Sequence, residues 1–225
     1  MPSQFFPPSD QWPSDGLIAV GGDLSPELLL DAYRHGIFPW PADEEGPLPW
    51  CSPDPRSLLP LDGLQVSRRL QRTVRSGKFR VTSDHAFEAV LEGCATGPGR
   101  EGGTWLTGKM QEAYCTMHQL GHAHSVETWF DGELAGGTYG ITIGGLFAAE
   151  SMFYRVRDAS KVALVHLVEH LNRRGYAMLD VQQWTPHTGR LGAIELSRDE
   201  YLERLVSAVE LPVTFGSISN EYEAG

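Results

Sequence analysis

Residues 122 to 154 constrain this chain more than any other stretch. HAHSVETWF, ELAGGTYGIT and GLFAAESMFY are three runs of strand-forming composition separated by Asp131-Gly132 and Ile143-Gly144. Asp-Gly accepts the positive φ at both central positions of a type I′ turn, and Gly144 supplies a second tight turn. Strands joined this tightly must pair antiparallel, because a parallel return needs a crossover of about a dozen residues or more. A meander is therefore expected here. The crossover comes next: an amphipathic helix from about Ala159 to Arg174, capped by Asp158 or Ser160 and stopped by Gly175.

That helix leads into YAMLDVQQW, which carries an acid and an amide where a buried strand should have neither. Met178, Asp180 and Gln182 alternate onto one face, with Leu179, Val181 and Gln183 on the other. Burying an unpaired carboxylate costs roughly several kcal/mol, so Asp180 must be paired, exposed or employed. Around this centre, helices are expected at 67–76, 85–94 and in TGKMQEAYCTMHQLG, with a short strand at 79–82. Met110, Tyr114, Met117 and Leu120 form one apolar stripe and read as core. A strand near 192–196 and a helix opened by the Ser197/Glu200 capping box complete the chain. The sum is an α+β fold with a mixed, mostly antiparallel sheet. It resembles the GNAT-like acyltransferase architecture, which opens a cleft between the strands flanking the crossover helix. Those strands hold Glu150 on one side, and Asp180 with Gln182 on the other.

The first sixty residues differ in texture. SPELLLDAYRHG is a helix with Ser25 as N-cap, Pro26 in its first turn and Gly36 as terminator. The segment after it is too rich in proline for regular structure and reads as an ordered loop exposing Trp40 and Trp50. A boundary near Leu58 to Asp62 divides a small N-terminal domain, residues 1–60, from a GNAT-like catalytic domain, residues 61–225.

Composition narrows the setting. The chain has 225 residues, 41% of them hydrophobic, and only three cysteines, which argues against a disulfide framework and for a reducing compartment. MPSQFFPPSDQW has neither a basic start nor a long apolar run, and no stretch approaches a membrane span, so the expected location is the cytoplasm. A net charge of −11 argues against a polyanionic partner until its distribution is considered. Between Gly63 and Ser83 there is no acidic residue, yet Arg68, Arg69, Arg72, Arg75, Lys78 and Arg80 all fall there. Arg68, Arg72 and Arg75 share one helical side, either as a solvated face or as an anchor for phosphates.

GGDLSPELLLDAYRHGIFPW, WCSPDPR, GTWLTGKMQEAY, LGHAHSVETW, LFAAESMF and LDVQQW occur in this order. Together, from about Gly16 to Leu205, they resemble the leucyl/phenylalanyl-tRNA–protein transferase family. The resemblance implies an enzyme that takes leucine or phenylalanine, and methionine less readily, from aminoacyl-tRNA. It joins that residue to the α-amine of proteins beginning with Arg or Lys, feeding N-degron proteolysis. It implies no metal or organic cofactor and no membrane, and a monomer is expected. The family's catalytic positions match Asp180 and Gln182, and its acceptor-side acid matches Glu150. Gln182 would hold the incoming amine through its carbonyl oxygen, with Asp180 orienting Gln182 and supporting the developing charge. The family's aminoacyl pocket draws on Phe147, Met152, Leu164, Leu167 and Leu171, with Thr138 standing where a larger apolar residue is expected. Trp40 and Trp105 match its aromatic positions near the tRNA's terminal adenosine, and Arg68, Arg72 and Arg75 would grip acceptor-stem phosphates. Cys51 replaces an aromatic beside Trp50.

Other signals point elsewhere or nowhere. His122 with His124, and His166 with His170, have spacings seen in metal sites, but no third ligand clusters near the first pair, and HLVEH lacks the glutamate directly after its first histidine that a metalloprotease uses. Cys115 lies on an amphipathic stripe, and His187 lies just beyond the polar strand without an assigned role. Two alternative functions remain: a CoA-dependent N-acetyltransferase and a non-catalytic RNA-binding module. Against CoA, YRVRDASKVA opens the crossover helix without the glycines that cradle a pyrophosphate.

Overall fold

In the computed structural model, which describes residues 2–41, 45–97 and 104–218, two sheets share one chain. The small sheet is built from β1 (Leu17–Val20), β2 (Phe38–Pro39) and β3 (Pro49–Cys51), in the order β1-β3-β2, with α1 (Pro26–Arg34) between its first two strands. The proline-rich segment expected to be a loop thus contributes two short strands. Trp50, expected to be exposed, is 1% accessible; its indole donates to the Gly21 carbonyl at 2.8 Å and packs edge-on against Phe6. Prolines at both strand margins are tolerated because such short strands need few ladder hydrogen bonds.

The large sheet takes β4 (Arg56–Leu58), β5 (Arg80–Ser83), β6 (Ala123–Phe130), β7 (Glu133–Ile143), β8 (Leu146–Tyr154), β9 (Met178–Gln182) and β10 (Ile194–Leu196). Its order is β10-β4-β9-β8-β7-β6-β5. A division at residues 60 and 61 would assign β4 to the small unit, yet this strand hydrogen-bonds between β10 and β9 inside the large sheet. Its three residues are too short to announce themselves in sequence, and WCSPDPR reads as loop.

The meander forms as expected. Asp131 and Gly132 take φ of 51° and 83°. The second turn sits one residue later than its sequence suggests, at Gly144-Gly145, because β7 runs through Ile143. Gly144 has φ 52°, and a Cβ there would lie 2.4 Å from the Val209 carbonyl oxygen. The crossover helix α5 (Ala159–Arg174) has the expected limits, ends at Gly175 with φ 81°, and sets β9 parallel to β8. The remaining helices are α2 (Arg68–Arg75), α3 (Phe87–Thr96), α4 (Gly108–Gln119), the single turn α6 (Pro186–Gly189) and α7 (Arg198–Val209), the last carrying the Ser197/Glu200 capping box. The glycine-rich stretch ATGPGREGG, residues 95–103, reads in sequence as a loop; its Ala95 and Thr96 instead close α3, and 98–103 lie outside the described residues.

Two cores flank the large sheet. On one face α1, α3 and α4 bury Leu29, Tyr33, Val90, Met110, Tyr114 and Met117 against Tyr139, Ile141 and Ala148, while α7 covers Leu58, Leu146 and Met178. On the other face α5 packs Leu164, Leu167 and Leu171 against Phe147 and Leu179. The alternation of Leu146, Phe147 and Ala148 between faces is the pleat.

Candidate active site

β8 and β9 hydrogen-bond only at one end. Their register is Leu146 with Met178, Phe147 with Leu179 and Ala148 with Asp180, and no pairing follows. The reason lies in β8: against β7, Tyr139 pairs Ser151 and Gly140 pairs Ala149, which leaves Glu150 as an extra, bulged residue. A bulge bends its strand and re-aims a side chain. The two strands part beyond Ala148 and Asp180, and Glu150 and Gln182 stand on the two lips of the split.

They meet across it. The Gln182 amide nitrogen donates to Glu150 Oε1 at 2.8 Å, and the Tyr114 hydroxyl donates to Oε2 at 3.0 Å. Tyr33 completes the cluster, its hydroxyl 2.9 Å from that of Tyr114. Tyr114, expected as core, buries its ring there and lends its hydroxyl to the site. Burial raises both phenols well above their ordinary range, as does the Glu150 charge, so both are neutral donors at physiological pH. Burial likewise raises the Glu150 carboxyl to about 7, the tyrosine hydroxyls pulling against it, Asp180 adding to it and Arg56 opposing it.

Asp180 answers to a different partner. It is 1% exposed, and Arg56, equally buried, donates to both its oxygens, Nε at 3.0 Å and a terminal nitrogen at 2.6 Å. The Tyr201 hydroxyl donates a third bond at 2.9 Å. Burial works to lower the Arg56 pKa, but the Asp180 charge overrides it and holds the guanidinium above its ordinary value. Arg56 also lies between the rings of Phe38 and Tyr201, 4.6 Å from each centroid, and donates to the Gly36 carbonyl. An ion pair this dry persists because nearly every polar atom in it is satisfied. Arg56 escaped the sequence reading; the signal available was that a buried acid at 180 needs a cation.

The fourth bond to Asp180 links the two clusters. Its Oδ1 accepts the Gln182 backbone N–H at 2.8 Å. Gln182 has φ 61°, and the Gln183 N–H reaches back to the Val181 carbonyl at 2.7 Å, a γ-turn centred on Gln182. A left-handed conformation at a non-glycine residue costs on the order of 1–3 kcal/mol and persists only where the surroundings enforce it. Asp180 therefore orients Gln182 through the main chain, and its own charge is matched by Arg56. With the amide nitrogen given to Glu150, the Gln182 carbonyl oxygen is the atom left to accept a bond.

A cavity of about 320 Å³ opens here, lined among others by Phe38, Trp40, Trp105, Glu150, Gln182 and Thr188. The structure thus brings Trp40, Trp105, Glu150 and Gln182 to one place, with Asp180 directly behind. It does not bring in the residues expected to form the aminoacyl pocket. Phe147, Leu164, Leu167 and Leu171 are buried in the core beneath α5, half-buried Met152 packs on that core, and Thr138 donates to the Ser151 carbonyl. None of the six lines this cavity. Arg68, Arg72 and Arg75 are exposed on α2 with no carboxylate paired to them among the described residues, while Arg69 is held bidentately by Asp158 at 2.8 and 2.9 Å. His124 bonds to Asp84, and among the described residues no group of three or more His, Cys, Asp or Glu side chains is placed to hold a metal ion. Cys115 and Cys51 are half-buried, and burial raises both thiols. No helix is long and apolar enough to cross a membrane among the described residues.

The family model described as leucyl/phenylalanyl-tRNA protein transferase matches residues 58–206, and the model of that family's N-terminal domain matches residues 22–54. A leucyl/phenylalanyl-tRNA–protein transferase of Magnetococcus marinus is 50% identical over 94% of this chain and 91% of its own. One from Nitratidesulfovibrio vulgaris is 51% identical over 94% and 90% respectively. Similar solved structures include L-PGS from Bacillus licheniformis, at TM-score 0.39 and 14% identity over 72% of this chain and 52% of that one. A GCN5-related N-acetyltransferase-like protein from Streptococcus suis reaches TM-score 0.36 and 14% identity, over 76% and 64%. Scores this low leave the architecture to be described by its own strands, a mixed sheet with a small N-terminal unit. By class, the protein is an aminoacyltransferase. The chain belongs to the leucyl/phenylalanyl-tRNA–protein transferase family.

Proposed function

We propose that this protein moves leucine or phenylalanine, and methionine less readily, from aminoacyl-tRNA to the α-amine of proteins beginning with Arg or Lys, marking them for N-degron proteolysis. The observation that carries this reading is the Gln182–Glu150 bridge across the parted strands, with an amide oxygen free at the mouth of an aromatic-walled cavity. The donor ester is already activated, so the chemistry needs position and one proton relay rather than a covalent enzyme intermediate. The free amine, with a pKa of about 8, is held by the Gln182 carbonyl oxygen and attacks the ester carbon. The new C–N bond forms as the C–O bond to the ribose breaks, and the proton released by the amine passes to the ribose oxygen, directly or through water. Asp180, balanced by Arg56, keeps Gln182 in its strained turn. Glu150 supplies the negative charge that meets the cationic first side chain of the acceptor, and that cation in turn favours the ionised carboxylate. Trp40 and Trp105 offer stacking faces for the terminal adenosine, worth roughly 1–3 kcal/mol per base. Arg68, Arg72 and Arg75 hold the acceptor stem without reading its sequence. Phe147, Met152, Leu164, Leu167, Leu171 and Thr138, none of which lines this cavity, are assigned to the aminoacyl pocket on the family resemblance alone. The GNAT-like reading of the domain rests on the crossover by α5 and the split parallel pair that follows it. A cytoplasmic location is part of this proposal, since aminoacyl-tRNA is supplied there.

The test incubates the protein with radiolabelled Phe-tRNA and an Arg-initiated peptide, and separately with labelled acetyl-CoA. Label should reach the peptide from the tRNA alone, and Gln182→Ala should abolish it while the variant stays folded. Transfer from acetyl-CoA, or near-normal transfer by Gln182→Ala, would overturn the reading.

A further inference from the structure

The short helix α6 is a wall with a cavity on each side. Thr185 and Thr188 face the reaction cavity, while His187 and Arg190 face a second one of about 210 Å³. Besides these two, its polar lining comes from Gln65, Ser67, Arg69 and Lys161. Among the described residues no acidic side chain lines it. Asp158 lies just before Lys161 in sequence and is engaged bidentately by Arg69. Lys161 and Arg190 have no carboxylate partner among the described residues, although the chain as a whole carries a net charge of −11. His187 is half-buried, and burial, reinforced by the charges of Lys161 and Arg190, lowers its imidazole below the ordinary value. Leu70 and Leu191 form a buried apolar base. Donors from three separate segments of the chain converge here, Arg69 matched by Asp158 and Lys161 and Arg190 without a carboxylate partner among the described residues, in a space below the roughly 300 Å³ at which drug-sized pockets begin. Such a site takes a small anionic group.

We infer that this cavity is a phosphate subsite for the single-stranded 3′ end of the aminoacyl-tRNA, with Lys161 and Arg190 as its charges and His187 as an added donor. This rests on the function proposed above. The distance argues for the 3′ strand rather than the stem. A helix with its side chains is about 10 Å across, so the two cavities lie within reach of about three stacked nucleotides at 3.4 Å each. Ser67, at the rim, is the N-cap of α2, so the subsite sits at the near end of the exposed arginine face and continues it toward the ester.

The experiment measures binding of a CCA trinucleotide to the full-length protein, together with the His187 imidazole titration by NMR and transfer from Phe-tRNA. Lys161→Met and Arg190→Met should each weaken CCA by about tenfold or more, as expected for loss of a charge-assisted contact. Arg190→Lys should restore part of that loss. A CCA analogue with uncharged methylphosphonate linkages should bind wild type weakly and ignore both Met substitutions. The His187 titration should move upward on adding CCA and stay put on adding adenosine. Unchanged CCA affinity in both Met variants, with transfer intact, overturns the subsite and leaves the transferase reading standing. A His187 response to inorganic phosphate but not to CCA also overturns it, in favour of a free-anion site. If CCA binding depends on Lys161 and Arg190 but wild type transfers nothing from Phe-tRNA, the subsite stands and the transferase reading falls.

Discussion

Replacing Arg56 and Asp180, singly and together, separates what holds the fold from what holds Gln182 in its turn. Arg56→Met leaves the Asp180 carboxylate 1% exposed with two hydrogen bonds, from Tyr201 and the Gln182 N–H, and no cation. Breaking a buried pair in this way costs roughly 3–5 kcal/mol. For a chain of this size each kcal/mol moves the Tm by about 2–4 °C, so a drop of roughly 6–20 °C is expected by circular dichroism. Adding Asp180→Leu removes the orphaned charge, and because apolar replacement of a buried pair is often near neutral, stability should return to within about 1–2 kcal/mol of wild type. Activity should not return. The Gln182 N–H then lacks its acceptor, and a left-handed turn costing about 1–3 kcal/mol is left unsupported, which corresponds to a loss of roughly 5- to 150-fold in kcat/KM. The assay is transfer of labelled phenylalanine to an Arg-initiated peptide at a temperature where every variant is folded. A double variant that is both stable and fully active would refute the claim that Asp180 works by holding Gln182. A double variant as unstable as Arg56→Met alone would refute the charge argument.

Glu150 sets a pH dependence. Its folded-state value of about 7 lies above the ordinary 4.5, so the native state binds its proton more tightly than the unfolded chain does. Its contribution to stability is therefore largest below pH 4.5 and declines as pH rises toward 7, by roughly 3 kcal/mol across that window. Glu150→Gln should flatten this decline relative to wild type in urea titrations and be the more stable protein at pH 8; parallel pH profiles for the two would show that Glu150 ionises as an ordinary carboxylate. The same substitution should reduce transfer to Arg- and Lys-initiated peptides above pH 7, read as a rise in KM for the peptide. Leu164→Ala should destabilise by about 2–5 kcal/mol as a buried core leucine. If Leu164 also floors the aminoacyl pocket, the variant should favour phenylalanine over leucine as donor more than wild type does, and an unchanged donor ratio would remove it from the pocket.

The meander, the crossover helix and the capping box were legible because each depends on residues a few positions apart. Asp131-Gly132 needs no distant partner to make its turn, nor does Ser197 to cap α7 with Glu200. Asp180 and Gln182 stood out for the same reason, as polar side chains in an otherwise apolar strand. Trp40 and Trp105 were singled out through family motifs, and both line the cavity. Short strands failed: β4 has three residues, and what makes it a strand is β9 and β10 on either side. The residues expected in the aminoacyl pocket show the limit of pattern in another way. Phe147 and Ala148 are neighbours in sequence, but the pleat sends one into the α5 core and the other to the opposite face of the sheet.

Local chemistry along the chain was enough to state the longer elements and to single out the two polar residues of the last parallel strand, and the resemblance carried by several motifs in one order implied the family. Folding in three dimensions assigned their partners. Arg56 precedes Asp180 by 124 residues, Glu150 reaches Gln182 only because a bulge parts two strands, and the basic cavity gathers Arg69, Lys161, His187 and Arg190 from separate segments. Turn and cap preferences act over one or two turns of backbone. Which charges are dried, paired or left facing each other follows from topology and burial, which are properties of the whole chain at once.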